Sequence, residues 1–134
     1  MVTEKIFISR SKSNRRKITN EEDVIKLVTN YGFKIIYMED LNVIEQINLF
    51  NKTKVIIAPH GAGISNIVYC SNSFKLLEIF PENYFDSSFR ILSQVLKCDY
   101  YYLIGKCLKN FDQDPQKENI WVDCNKLKKW LDSV

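Results

Sequence analysis

Five apolar runs, KIFIS (5–9), FKIIYM (33–38), KVIIA (54–58), FKLLEIF (74–80) and DYYYLI (99–104), have the length of strands and are bounded by polar or glycine-bearing segments. Between them the apolar spacing becomes helical. Residues 20–32 predict a helix, with Thr19 and Glu22 as a capping box, acids in the first turn and Gly32 at the stop. Residues 42–52 predict a second, capped by Asn42 with Glu45 three positions on, and with Val43, Ile47 and Phe50 on one face. A short helix is expected over 62–70, a longer one over 84–97, and an amphipathic one at the end of the chain. The segment 105–119 is polar and breaks at Asp-Gln-Asp-Pro.

Strands alternating with helices predict an α/β domain, a Rossmann-like three-layer sandwich with a mostly parallel sheet. The order 3-2-1-4-5 is expected, which puts the topological switch point between strands one and four. Ligands of such sheets bind beyond the carboxyl ends of the strands, so the loops after the first, third and fourth runs are the ones to inspect. At 134 residues and 46% hydrophobic, the chain makes one domain, 1–134, with a motif-bearing core at 5–104 and a tail at 105–134. KVIIA is apolar enough to be buried on both faces.

A formal net charge of +3 is too mild to argue for wholesale nucleic-acid or membrane affinity. The four cysteines, at 70, 98, 107 and 124, form no CxxC and have one histidine for company, which fits thiols better than a disulfide framework or a zinc site. No signal peptide and no run of membrane-spanning length is seen, and a cytoplasmic location is expected. The sequon at Asn51 carries no weight in that setting.

Three loops hold the candidate chemistry. Residues 9–17, SRSKSNRRK, carry Arg10, Lys12, Arg15, Arg16 and Lys17 with no acid. The planar guanidinium fork suits phosphate oxygens, and the following helix N-terminus adds amide donors; the alternative is a solvated basic loop. In PHGAGISN (59–66) two glycines permit a tight turn, with His60 at its lip and Asn66 one turn inside. Either a ligand approaches that backbone, or the glycines only allow close packing of helix on sheet. Glu78 sits in an apolar strand and needs partners, either ribose hydroxyls or a nearby Arg or Lys. Pro81, Tyr84 and Phe85 follow it with flat surfaces suited to a base. Asp112 and Asp114 have the spacing of a cation site, but their setting reads as a turn.

ISRSKSNRRKITNEEDV (8–24), the long stretch from Tyr31 to Cys70, KLLEIFP (75–81) and CDYYYL (98–103) together resemble the C-terminal half of glycosyltransferase family 61, over about residues 6–104. The ordered set Ser-Arg, Arg-Arg, Asn-Glu-Glu, Glu-Gln and His-Gly-Ala-Gly-x-x-Asn carries the likeness. The resemblance implies a GT-B-type transferase whose C-terminal domain binds a nucleotide-sugar, usually a UDP-sugar, with a glycan or protein hydroxyl as acceptor, no cofactor and no required metal. Carried over position by position, it implies binding by Ser9, Arg10, Arg15, Arg16, Asn20, Glu21, His60, Gly61, Ala62, Gly63, Asn66 and, more weakly, Glu78, with His60 as the catalytic candidate. Ile64 stands where the family usually has Leu. The resemblance implies an N-terminal domain that supplies the acceptor site and the base; the sequence given is expected to be a donor-binding half that needs a partner polypeptide carrying that domain, a split gene product or a degraded remnant. The alternatives are a nucleotide-sugar-binding module without turnover, and a nucleic-acid contact through 9–17, which lacks the interleaved aromatics such contacts use.

Overall fold

The computed structural model describes residues 4–71, 73–107 and 119–134. Five strands, β1 (Glu4–Ile8), β2 (Lys34–Ile36), β3 (Thr53–Pro59), β4 (Lys75–Pro81) and β5 (Asp99–Gly105), form one parallel sheet in the order β2-β1-β3-β4-β5. The expected order 3-2-1-4-5 is therefore corrected to 2-1-3-4-5. The reason lies in burial. All but one of the seven residues of β3 are buried, which a strand achieves only with neighbours on both sides, whereas β2 is three residues long and stays partly exposed at the edge.

The chain winds first one way and then the other, so its helices cover both faces. On one side α1 (Glu21–Asn30) and α4 (Cys124–Ser133) bring Val24, Val28, Leu127 and Leu131 against Phe7, Ile57, Leu77 and Ile79. On the other, α2 (Val43–Lys52), a 3-10 helix (Ala62–Tyr69) and α3 (Ser88–Val95) bring Phe50, Ile64, Ile67 and Leu92 against Ile6, Ile8, Ile56 and Leu76. The alternation of apolar side chains along each strand feeds these two layers.

Local chemistry sets the ends. Asn42 and Glu45 close the expected capping box, each side chain bonding the other residue's amide. Val43, however, is exposed, and the buried face of α2 centres on Phe50. The box expected from Thr19 and Glu22 does not form. Thr19 donates to the Ile120 carbonyl, and Asn20, at the N-cap, bonds both ways with the Val122 backbone. Gly32, at φ +87°, makes the turn after α1. The third long helix starts at Ser88 rather than 84, because Asp86 captures the Ser88 amide and hydroxyl and holds the preceding residues as a turn. All four cysteines are free thiols, and burial pushes that of Cys70 up to about 12.

The tail is stitched in by main-chain bonds: Ile120 pairs with Ile18, and Trp121 with Lys106. Gly105 permits this approach, since a Cβ there would lie 2.2 Å from Ile120 Cγ2 and 2.7 Å from the Trp121 carbonyl oxygen. Gly105→Ala is expected to destabilise the domain by about 1–3 kcal/mol through overpacking. Urea denaturation measures it, and an unchanged midpoint would contradict this contact.

Candidate functional site

In the observed order the switch point lies between β1 and β3, not between strands one and four. The loops leaving these two strands are the basic segment 9–17 and the turn 58–63, so the correction moves both to the same crevice. Between them lies a cavity of about 60 Å³, lined by Ser9, Arg10, Met38, Glu39, Gly61 and Gly63 among others. Larger hollows, of about 190 Å³ near Val55 and Phe74 and about 370 Å³ between α1 and α4, lie away from the carboxyl ends of β1 and β3.

Arg10 lies flat on the glycine turn. A Cβ on Gly61 would fall 2.1 Å from its Nη1, so the guanidinium occupies the space a side chain would take. Arg10 also donates to the Arg15 carbonyl and the Ser13 hydroxyl, which curls the loop upon itself. Arg16 is buried and sits at φ 51°, a left-handed conformation that costs a non-glycine residue roughly 1–2 kcal/mol. Its Nε donates to the His60 carbonyl at 2.8 Å, joining the two loops directly, and its guanidinium faces the Tyr84 ring. Burial, chiefly, holds both guanidiniums below the usual arginine range; for Arg10 the neighbouring Arg16 adds to this, and for Arg16 the neighbouring Arg15 does. An anion brought between them would relieve that repulsion.

His60 directs its Nδ1 towards β4. Its Nδ1 lies 2.6 Å from Glu78 Oε2, and the Tyr100 hydroxyl donates to Glu78 Oε1 at 2.5 Å. Glu78 is fully buried with a partner on each oxygen, a histidine and a tyrosine instead of the expected Arg or Lys. Desolvation, reinforced by the Glu78 carboxylate, pushes the Tyr100 phenol above its ordinary range. Phe80 stacks on the imidazole, and Phe89 and Tyr84 close round it.

The remaining candidates divide. Ser9 is buried and donates to Glu21 Oε1 at 2.7 Å, while Glu21 Oε2 is buried without a hydrogen-bond partner. Arg15 is exposed at the loop's rim. The Asn20 amide is spent on Val122, and the first turn of α1 carries Glu21, Glu22 and Asp23, so that helix end already holds carboxylates. Asn66 donates to Gln46 and to the Gly63 carbonyl, bracing the turn. Ala62 opens the 3-10 helix. Tyr100 and Phe89 escaped the sequence reading; Tyr100 sits in an apolar-looking strand, and only its register opposite Leu76, two residues before Glu78, brings it within reach.

No group of three or more His, Cys, Asp or Glu among the described residues could hold a metal ion, and Asp112 and Asp114 lie outside those residues. No helix among them is long and apolar enough to cross a membrane.

A doubly wound parallel domain with two loops meeting at its switch point, one basic and one glycine-rich, defines the class: a Rossmann-like domain with a crevice at the carboxyl ends of its strands. The family model for Glycosyltransferase 61 matches residues 1–77, and the chain belongs to that family of glycosyltransferases. The match takes in β1 to β3 with both loops and stops one residue before Glu78. No curated protein matches the chain.

Proposed function

We propose that the chain is the donor-binding domain of a GT-B-type glycosyltransferase, which takes a UDP-sugar and transfers its sugar to a hydroxyl acceptor. The observation that carries this reading is the convergence at the switch point, where Arg10 lies on Gly61 and Arg16 holds the His60 carbonyl. In an inverting transfer the acceptor oxygen forms a bond to the anomeric carbon while the bond to the diphosphate breaks, and that electron pair leaves on the diphosphate. Arg10 and Arg16, with the amides of the glycine turn, are the fixed donors for this charge, Arg15 adds an exposed one at the rim, and they serve without a metal. Ser9 and Glu21 lie next to them and suit hydroxyl contacts.

No base for the acceptor hydroxyl is assigned. The cavity of about 60 Å³ is also well below the roughly 300 Å³ at which ligand sites begin. Both points favour a second domain or polypeptide that completes the cleft, and with it the narrower reading of a nucleotide-sugar-binding module.

Calorimetric titration with UDP and a UDP-sugar, with and without EDTA, tests the proposal. Saturable, metal-independent binding is expected, and absence of heat at millimolar ligand would overturn it. Sugar release or transfer then separates the enzyme from the module. A length-dependent, steeply salt-sensitive affinity for oligonucleotides would favour the nucleic-acid reading instead.

Gly61→Ala gives a local check. The added methyl meets only the end of a flexible side chain, so the fold should stay within about 0.5 kcal/mol of the parent. Displacing Arg10 should weaken UDP binding about tenfold. Parental affinity in a folded variant would remove Arg10 from the site.

A further inference from the structure

We propose that Glu78 and Tyr100 are positioning residues that hold His60 as its Nδ1–H tautomer, so that Nε2 meets the ligand as a hydrogen-bond acceptor for a sugar hydroxyl. The relay runs across three adjacent strands. The Tyr100 hydroxyl on β5 donates to one Glu78 oxygen on β4, and the other oxygen lies 2.6 Å from Nδ1 of the residue that follows β3. An ionised Glu78 has only acceptor capacity to offer the ring, and the Nδ1 that faces it then carries the proton. A neutral imidazole then has its lone pair on Nε2, which makes no hydrogen bond to any described residue.

The ring has little freedom to answer otherwise. Phe80 lies against it at 5.2 Å between centroids, Phe89 at 5.3 Å and Tyr84 at 5.6 Å. Its backbone is fixed from both sides, the amide donating to Ile79 and the carbonyl accepting from Arg16. The remaining charged neighbours are Arg16, bonded to the His60 carbonyl, and Asp86, bonded to Ser88.

A neutral His60 of this tautomer cannot donate to a phosphate oxygen, so the diphosphate falls to the arginines and the glycine turn. His60 takes a donor from the ligand, and of the donors a UDP-sugar carries, its hydroxyls flank the diphosphate while the uracil N–H lies beyond the ribose. Glu78 thereby acts through His60 and not on the ligand. The hydroxyl contact rests on the nucleotide-sugar reading above; the tautomer does not.

Because His60 is the chain's only histidine, one nitrogen-15 imidazole spectrum reports on it without assignment. In the free protein at about pH 9, above the ordinary histidine range, a protonated Nδ1 and a bare Nε2 are expected. Tyr100→Phe should keep that tautomer with faster exchange of the Nδ1 proton, and Glu78→Leu should return the ring to the usual Nε2–H form. A parent protein with Nε2–H overturns the proposal even if Glu78→Leu fails to fold.

Adding ligand separates the sources of the hydroxyl. A shift at Nε2 with UDP alone places the donor on the nucleoside, and a shift only with a UDP-sugar identifies the transferred sugar. Binding of both with no change at Nε2 overturns the hydroxyl contact. If calorimetry shows that neither binds, the donor reading and the hydroxyl contact fall together, while the tautomer is still decided by the free protein.

Discussion

Glu78→Ala is expected to cost the fold about 3–5 kcal/mol, the range for breaking a buried, hydrogen-bonded pair by removing one partner. Glu78 is fully buried and hydrogen-bonded to both His60 and Tyr100. Alanine strands a ring nitrogen and a phenol where water is scarce, and leaves a hole beside them. Tyr100→Phe removes one donor and leaves the other bond, so about 1 kcal/mol is expected. Urea denaturation of the three proteins provides the comparison. A Glu78→Ala midpoint close to that of Tyr100→Phe would mean that the carboxylate does not organise this corner of the fold. The size of the loss would be unusual for a single site, since most substitutions cost far less.

Arg16→Ala is expected to weaken UDP binding roughly 10- to 100-fold, corresponding to about 1.5–3 kcal/mol for a charge-assisted hydrogen bond. Arg16 is the residue that spans the two loops, with Nε on the His60 carbonyl and the rest of the guanidinium over Tyr84. It is held at φ 51°, which the fold tolerates because that bond fixes the side chain. Arg16→Lys keeps the charge but not the planar fork, and should recover only part of the affinity. Calorimetry on the three proteins measures the series. Equal affinity for parent and alanine variant would assign Arg16 to loop structure alone. Equal affinity for lysine and arginine would reduce its part to charge.

Much of the local structure was legible. Each of the five apolar runs became a strand, because burial on a sheet demands consecutive or alternating apolar residues and leaves little room for another reading. The box at Asn42 formed because it needs only residues three positions apart. Its counterpart at Thr19 failed because both Thr19 and Asn20 bond to residues 120–122, a contact with no local signature. The boundary of α3 was missed for a similar reason of competing chemistry, Asp86 offering Ser88 a turn in place of a helix start.

The site divides the same way. Arginines 10, 15 and 16 and the glycines at 61 and 63 stand out as residue types suited to an anion, wherever the fold places them. That Arg10 lies on Gly61, and that Arg16 reaches His60, depends on β1 and β3 being neighbours. Periodicity could not say so, since it records which residues are buried and not which strand lies beside which.

The sequence alone determined the alternation of strands and helices, the basic and glycine-rich loops, and a likeness to family 61 that the family match bears out. Tertiary structure alone decided the sheet order, the switch point between β1 and β3, and the Tyr100–Glu78–His60 relay. The physical reason is range: helical and strand periodicities are properties of neighbouring residues, whereas a hydrogen bond between residues 22 positions apart exists only once β4 and β5 have paired in register.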